Sequence, residues 1–191
     1  GSAYLIETGS ARVMLDYGLF QGGRKEERLN RRRTSFDPKS IDAVVVTHAH
    51  LDHTGRLPIL TRHGFRGPIF ATSATVDLMG ILLRDSAFIQ QMDAERAARK
   101  HGGVTPEDDR PLYTPEHVEH TMSLCRGVGY DEAVEVAEGV TARWVDAGHI
   151  LGSASVELTI DDGGTTKTVV FSGDIGPRDV PLLRDPVLLE R

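Results

Sequence analysis

The sequence predicts an α/β fold of four layers, in which two packed sheets carry helices on their outer faces. Two patterns indicate it. Strand-like and helix-like segments alternate in the first half, and segments of period two follow one another in the second half. The length, 191 residues of which 39% are hydrophobic, suits a single core. We therefore expect one domain over residues 1–191.

Local patterns predict each element of the first half. Residues 4–7 and 12–15 are β-prone runs joined by a Thr-Gly-Ser turn. The β-branched run 42–47 is typical of a strand buried on both faces. Helical spacing then begins at Thr54, and a short strand is expected at 68–71.

The second half changes from helical to strand periodicity. Helical spacing from Thr72 to about His101 ends at two glycines. A second helix is predicted from Pro115 to about Cys125, because threonine, proline and glutamate form a helix start. Beyond it, strands are predicted over 134–136, 140–145, 154–160 and 166–171, with a turn at 161–164.

The charge balance bears on the partners of the protein. With 28 acidic and 22 basic side chains the net charge is −6, which disfavours binding of nucleic acid by bulk charge alone. A basic run at 24–33 is the local exception. Within it, Arg31, Arg32 and Arg33 are candidates for contacts with RNA phosphates, and a solvated loop is the alternative.

Cysteine content and hydropathy exclude further classes. Cys125 is the single cysteine, so an intrachain disulfide and a thiolate zinc site are excluded, and a reducing, cytoplasmic location is expected. No run approaches the roughly 18 to 20 apolar residues that cross a membrane. The sequence therefore predicts no membrane association.

The strongest functional signal is the run His48-Ala-His50-Leu-Asp52-His53 between a predicted buried strand and a helix. Histidines two residues apart in an extended segment project to the same side. Asp52 and His53, further into the bend, can point at a neighbouring position. The spacing therefore suits two metal ions better than one. Imidazole and carboxylate ligands without thiolate favour zinc, with manganese or iron as alternatives.

Further candidate ligands follow predicted strands. His149 lies in a glycine-flanked segment after the strand 140–145, and Asp174 follows the strand 166–171 in the sequence Ser-Gly-Asp-Ile-Gly. Asp16 ends an earlier strand in a similar pattern. We expect these side chains to lie at the sheet edge that carries the histidine motif.

These motifs resemble the metallo-β-lactamase superfamily and, within it, the β-CASP branch of RNA-processing nucleases. The supporting phrases are Gly-Ser-Ala-Tyr-Leu-Ile-Glu-Thr-Gly, Leu-Asp-Tyr-Gly-Leu-Phe-Gln-Gly, Ala-Gly-His-Ile-Leu-Gly-Ser-Ala and Ser-Gly-Asp-Ile-Gly. The resemblance implies the αββα sandwich of that superfamily and two zinc sites. The implied ligands are His48, His50 and His149 for the first zinc, Asp52 and His53 for the second, and Asp174 as the bridge. The same resemblance implies that Asp16 is not itself a metal ligand and orients the ligand side chains.

The sequence departs from the β-CASP pattern in one respect. Members of that branch continue with an acidic motif, an inserted cap domain and further histidines, whereas this sequence stops at Arg191. We therefore expect residues 1–191 to be the N-terminal portion of a longer chain, truncated before the cap domain. The second zinc site is then expected to be incomplete, and this portion alone to be weakly active or inactive.

The resemblance implies hydrolysis of RNA phosphodiesters, endo- or exonucleolytic, by a hydroxide held between two metal ions. Asp52 is expected to orient that water or accept its proton. The same ligands would also serve a two-metal hydrolase of small esters, thioesters or lactams. A metal-binding scaffold without activity is a third hypothesis. The oligomeric state stays open, with a homodimer as one candidate.

Overall fold

The structure, a computed structural model, describes residues 1–189 and contains two β-sheets. The strands of the first sheet, in spatial order, are β1 (Tyr4–Glu7), β2 (Arg12–Leu15), β3 (Ala43–Val45), β4 (Ile69–Thr72) and β5 (Cys125–Val128). Only its β1–β2 pair is antiparallel. The strands of the second, fully antiparallel sheet are β6 (Ala133–Ala137), β7 (Val140–Asp146), β8 (Ala154–Asp162) and β9 (Thr165–Phe171).

Helices occupy the connections of the first sheet. They are α1 (Arg24–Glu27), α2 (Leu51–Thr54), α3 (Leu57–Arg62), α4 (Ser73–Lys100) and α5 (Pro115–Ser123). The Thr72 side chain accepts the N–H of Thr75 and so caps α4. None of the helices within residues 1–189 is long and apolar enough to cross a membrane.

The first sheet separates two hydrophobic cores. Met14 of β2 and Val44 of β3 pack on the helical side. Their neighbours Val13 and Val45 face the second sheet, as alternation along a strand requires. Trp144 of β7 is fully buried between the sheets, and its indole N–H donates to the Val46 carbonyl at 3.0 Å.

The layer order is therefore helices, first sheet, second sheet. Two cores formed by buried side chains join these layers. In the part of the chain that the structure describes, the helix–sheet packing lies on the first sheet, and β9 is largely exposed. The predicted outer helical layer on the second sheet is thus not formed by residues 1–189.

One helix and one strand differ from the prediction. The helix expected from Thr54 begins at Leu51, inside the histidine motif, and breaks before α3. Pro58 explains the break, because it lacks the N–H that a continuous helix requires and is placed at the start of α3. The strand β5 was not predicted, because its Cys-Arg-Gly-Val sequence has no strand pattern and forms by parallel pairing with β4.

The arginine-rich segment and the last hairpin also differ in detail. Where a loop was expected, the chain forms α1 and a 3₁₀ turn over Arg28–Arg31. The hairpin between β8 and β9 has a two-residue turn, since Asp162 pairs with Thr165. Gly163 and Gly164 both have positive φ, the conformation that such a tight turn needs.

Candidate metal centre

Four chain segments meet at one edge of the sheets, namely those that follow β2, β3, β7 and β9. Backbone hydrogen bonds join them: Asp16 N–H donates to the Val45 carbonyl, and Ala154 N–H donates to the Thr47 carbonyl, each at 2.9 Å. The segment after β9 is joined by Gly176 N–H, which donates to the Ala147 carbonyl at 2.8 Å. This edge carries the ligand candidates that the sequence indicated.

The first ligand group consists of His48, His50, His149 and Asp174, whose ligand atoms all lie within 4.8 Å of one another. His50 Nδ1 lies 3.0 Å from His48 Nε2 and 3.2 Å from His149 Nε2. Asp174 Oδ2 lies 3.8 Å from His48 Nε2 and 3.6 Å from His149 Nε2. Three imidazoles and one carboxylate therefore converge on one point.

The second ligand group consists of His53 and Asp52 together with the other oxygen of Asp174. His53 Nε2 lies 3.4 Å from Asp174 Oδ1 and 3.7 Å from Asp52 Oδ2. The two groups are adjacent, since the rings of His48 and His53 are 4.1 Å apart between centroids. Asp174 thus turns one carboxylate oxygen toward each group.

A buried carboxylate lies behind the second group. Asp16, which is 1% exposed, accepts the N–H of Thr47 on Oδ1 at 2.8 Å. Its Oδ2 lies 2.8 Å from His53 Nδ1. Burial raises the pKa of the Asp16 carboxyl, against the opposing hydrogen bonds from His53 and Thr47. Burial lowers the pKa of His53, but the hydrogen bond and charge of Asp16, together with the charges of Asp52 and Asp174, raise that pKa overall.

His48 is held as a neutral imidazole. Burial, together with the neighbouring His53, His50 and His149, lowers the pKa of His48 to about 3. Its Nδ1 lies 3.1 Å from the Thr47 hydroxyl, while Nε2 faces the first ligand group. A neutral ring with a free Nε2 is the form that binds a metal.

The loop that carries His149 is held by buried hydroxyl groups. Ser153 Oγ accepts the N–H of His149 at 3.0 Å and that of Ile150 at 3.1 Å. The Gly152 carbonyl accepts the hydroxyls of Thr72 at 2.6 Å and Thr75 at 2.8 Å. Gly152 itself has φ +82°, and a Cβ there would lie 2.5 Å from the Thr75 nitrogen. The loop conformation therefore depends on these side chains.

Reasoning from the sequence did not identify these supporting hydroxyls. Thr47 was assigned only to a β-branched strand, and Ser153 only to a glycine-flanked phrase around His149. Only their position in the sequence could have indicated these residues, because each is a hydroxyl residue close to a ligand candidate. Which hydroxyl bonds which ligand depends on tertiary contacts between the strands.

The structure does not bring the three candidate RNA-binding arginines to this centre. Arg31, Arg32 and Arg33 are exposed, and within residues 1–189 they make no hydrogen bond or ion pair with a ligand candidate. Arg31 donates to the Asp108 carbonyl at 2.8 Å and also to that of Arg110. Their contact with RNA stays a prediction.

The first ligand group fits a divalent metal ion. Ligand atoms about 2.0–2.2 Å from a tetrahedral zinc ion are about 3.3–3.6 Å from one another. Four of the six separations within this group are between 3.0 and 3.8 Å and bracket that value, and all six are within 4.8 Å. Nitrogen and oxygen donors without thiolate also match the preference of zinc and of similar divalent ions.

Comparison with known proteins agrees with the geometry. The family model described as metallo-beta-lactamase superfamily matches residues 1–189. The chain is 42% identical over 188 residues to "Ribonuclease TTHA0252" of Thermus thermophilus, covering 98% of this chain and 38% of that protein. It is 34% identical over 178 residues to "Transcription termination factor FttA" of Methanothermobacter thermautotrophicus, covering 91% of this chain and 25% of that protein. The chain thus spans well under half of these relatives.

Solved structures show the same fold at lower sequence identity. A metallo-beta-lactamase of Cronobacter sakazakii with a HARLDQ motif superposes with a TM-score of 0.55 at 19% identity, over 94% of this chain and 58% of that one. MEM-A1, a subclass B3 metallo-beta-lactamase from a soil metagenome library, gives a TM-score of 0.50 at 22% identity, over 92% and 59%. The predicted α/β class and lactamase-like fold are confirmed, whereas the fourth predicted layer, helices on the second sheet, is not formed by residues 1–189.

Proposed function

The chain belongs to the metallo-beta-lactamase superfamily, and we propose that it carries the metal centre of a hydrolase that cleaves phosphodiester bonds in RNA. The observation that carries this proposal is the position of Asp174 between the two ligand groups. Its Oδ2 lies 3.6 Å from His149 Nε2, and its Oδ1 lies 3.4 Å from His53 Nε2. One carboxylate can therefore bridge two ions.

The ligands in this proposal are those that the resemblance implied. The first zinc would be held by His48, His50 and His149, the second by Asp52 and His53, and Asp174 would contribute to both. Manganese and iron remain alternative ions for the same donors. When bound, two divalent ions lower the pKa of a coordinated water and neutralise charge that develops on the phosphoryl oxygens.

Asp52 and Asp16 have separate roles in this proposal. Asp52, whose side chain is 41% exposed, orients the attacking water or accepts its proton. Asp16 holds the Nδ1 side of His53, so that Nε2 stays available to the metal. The second group has three protein donors here, which supports the expectation that its ion is bound more weakly than the first.

RNA as the substrate rests on the curated relatives, because metal ligands alone do not distinguish substrates. The relative at 42% identity bears the name ribonuclease. The alternative, hydrolysis of small esters, thioesters or lactams, has support only from solved neighbours that share the fold at low identity. A longer natural chain with a cap domain, a homodimer and a cytoplasmic location stay predictions.

The test combines metal content with two substrates. Residues 1–191, and the longer natural protein that the resemblance predicts, are loaded with zinc and assayed on a labelled RNA and on a chromogenic lactam, with and without chelator. We expect bound zinc in both and chelator-sensitive RNA cleavage by the natural protein. His48→Ala should abolish that cleavage, whereas His63→Ala, an exposed histidine at the end of α3, should not. Cleavage of the lactam alone would contradict the proposal.

A further inference from the structure

The Thr47 hydroxyl links the two ligand groups, because it contacts His48 of the first group and Asp16, which contacts His53 of the second group. Thr47 follows β3, is fully buried, and has its hydroxyl 2.8 Å from Asp16 Oδ2 and 3.1 Å from His48 Nδ1. Asp16 Oδ2 in turn lies 2.8 Å from His53 Nδ1. A continuous path of hydrogen bonds therefore runs from His48 through Thr47 and Asp16 to His53.

The direction of each bond follows from counting protons. A threonine hydroxyl has one proton and two lone pairs, and the Thr47 proton is donated to the buried Asp16 carboxylate. The hydroxyl can then only accept from His48, so the proton of that ring resides on Nδ1. His48 Nε2 is left with its lone pair toward His50 and His149.

We propose that Thr47 is a positioning residue whose hydroxyl couples the two ligand groups, so that the single carboxylate of Asp16 sets the ring orientation and tautomer of one histidine in each. Asp16 acts on His53 directly and on His48 through Thr47. The inference rests on the proposed metal centre and adds a link between its two sites.

Two substitutions of Thr47 can test the role of its hydroxyl separately from the packing of its side chain. The Thr47 carbonyl accepts the N–H of Ala154, and a Cβ added to Gly173 would lie 3.0 Å from the Thr47 Cβ. The side chain thus packs where the segments of His149 and Asp174 converge. Valine preserves this packing without the hydroxyl, and serine preserves the hydroxyl with one methyl fewer.

The experiment measures zinc affinity of residues 1–191 by competition with a chromophoric chelator, and the spectrum of the cobalt-substituted protein. Loss of a group that orients a ligand typically lowers metal affinity by about 10–100-fold. We expect a loss of that size at both sites in Thr47→Val and near-native affinity in Thr47→Ser. The matched control is Thr121→Val, a buried threonine that bonds Thr61 at 2.9 Å between α3 and α5. It should bind zinc normally.

A second readout needs no metal. Nitrogen-15 imidazole spectra of the metal-free protein should show His48 protonated at Nδ1 in the wild type, and a mixture of tautomers in Thr47→Val. Native affinity at either site in Thr47→Val, or equal loss in Thr47→Ser, would overturn the coupling role. Absence of zinc from the wild type would instead overturn the proposed function, while these spectra would still decide the His48 tautomer.

Discussion

Asp16 and His53 form a buried pair in which the carboxylate Oδ2 lies 2.8 Å from the imidazole Nδ1. Asn at position 16 removes the charge and replaces one acceptor oxygen by a donor, so Asp16→Asn should leave His53 poorly oriented. We expect zinc affinity to fall by about 10–100-fold. Competition with a chelator measures it, with Asp161→Asn, an exposed carboxylate in β8, as the control. Native affinity in Asp16→Asn would limit Asp16 to a role in folding.

Ser153 should support both stability and the first ligand group. Its Oγ accepts two partly buried backbone N–H groups of the His149 loop, and Ser153→Ala removes this acceptor from both. We expect the free energy of unfolding to fall by about 1–3 kcal/mol, together with weaker zinc binding. Ser86→Ala, which removes a buried hydroxyl bonded to Tyr113, should lower stability without changing zinc affinity. Equal zinc binding in the two variants would contradict this role.

Gly152 and Gly163 form a matched pair, because both have positive φ but different surroundings. Nothing lies within 4 Å of a Cβ added at Gly163. Gly163→Ala should therefore lower the free energy of unfolding by about 1–2 kcal/mol through backbone strain alone. A Cβ at Gly152 would lie 2.5 Å from the Thr75 nitrogen. Gly152→Ala should therefore lower the free energy of unfolding by about 1–3 kcal/mol more than Gly163→Ala does. Urea unfolding measures both. Similar losses would show that the His149 loop adjusts freely.

Arg32 and Arg33 should affect RNA binding through charge. If each contacts one phosphate, Arg32→Gln and Arg33→Gln should each reduce the slope of log affinity against log salt by about 0.7 for single strands. Fluorescence anisotropy with a labelled RNA measures the slope. Arg96→Gln, an exposed arginine that pairs with Asp93 on α4, is the control. An unchanged slope would assign Arg32 and Arg33 to a solvated surface.

Local sequence information accounts for much of this site. His48, His50, Asp52 and His53 are close in the chain, so their proximity follows from spacing alone. His149 lies in the sequence 101 residues after His48, and its meeting with the motif was expected because ligands cluster where strands end. The structure brings these residues together, while the assignment of each to a metal came from the family resemblance.

Other features could not be predicted, because they depend on contacts between distant segments. The role of Thr47 needs the register that places Asp16 beside it. The strand β5 exists because β4 offers a parallel partner. The start of α2 at Leu51 was missed because Asp52 and His53 were placed in a bend that precedes a helix beginning at Thr54. Pro58 was not used to divide the helical stretch.

Anomalous diffraction from zinc-loaded crystals tests most directly whether Asp174 bridges two ions. The proposed centre predicts two zinc peaks about 3.5–4 Å apart, one on each side of the Asp174 carboxylate. The first should be bound by His48, His50 and His149, and the second, of lower occupancy, should lie beside Asp52 and His53. A single peak, or zinc bound away from Asp174, would contradict the two-metal centre.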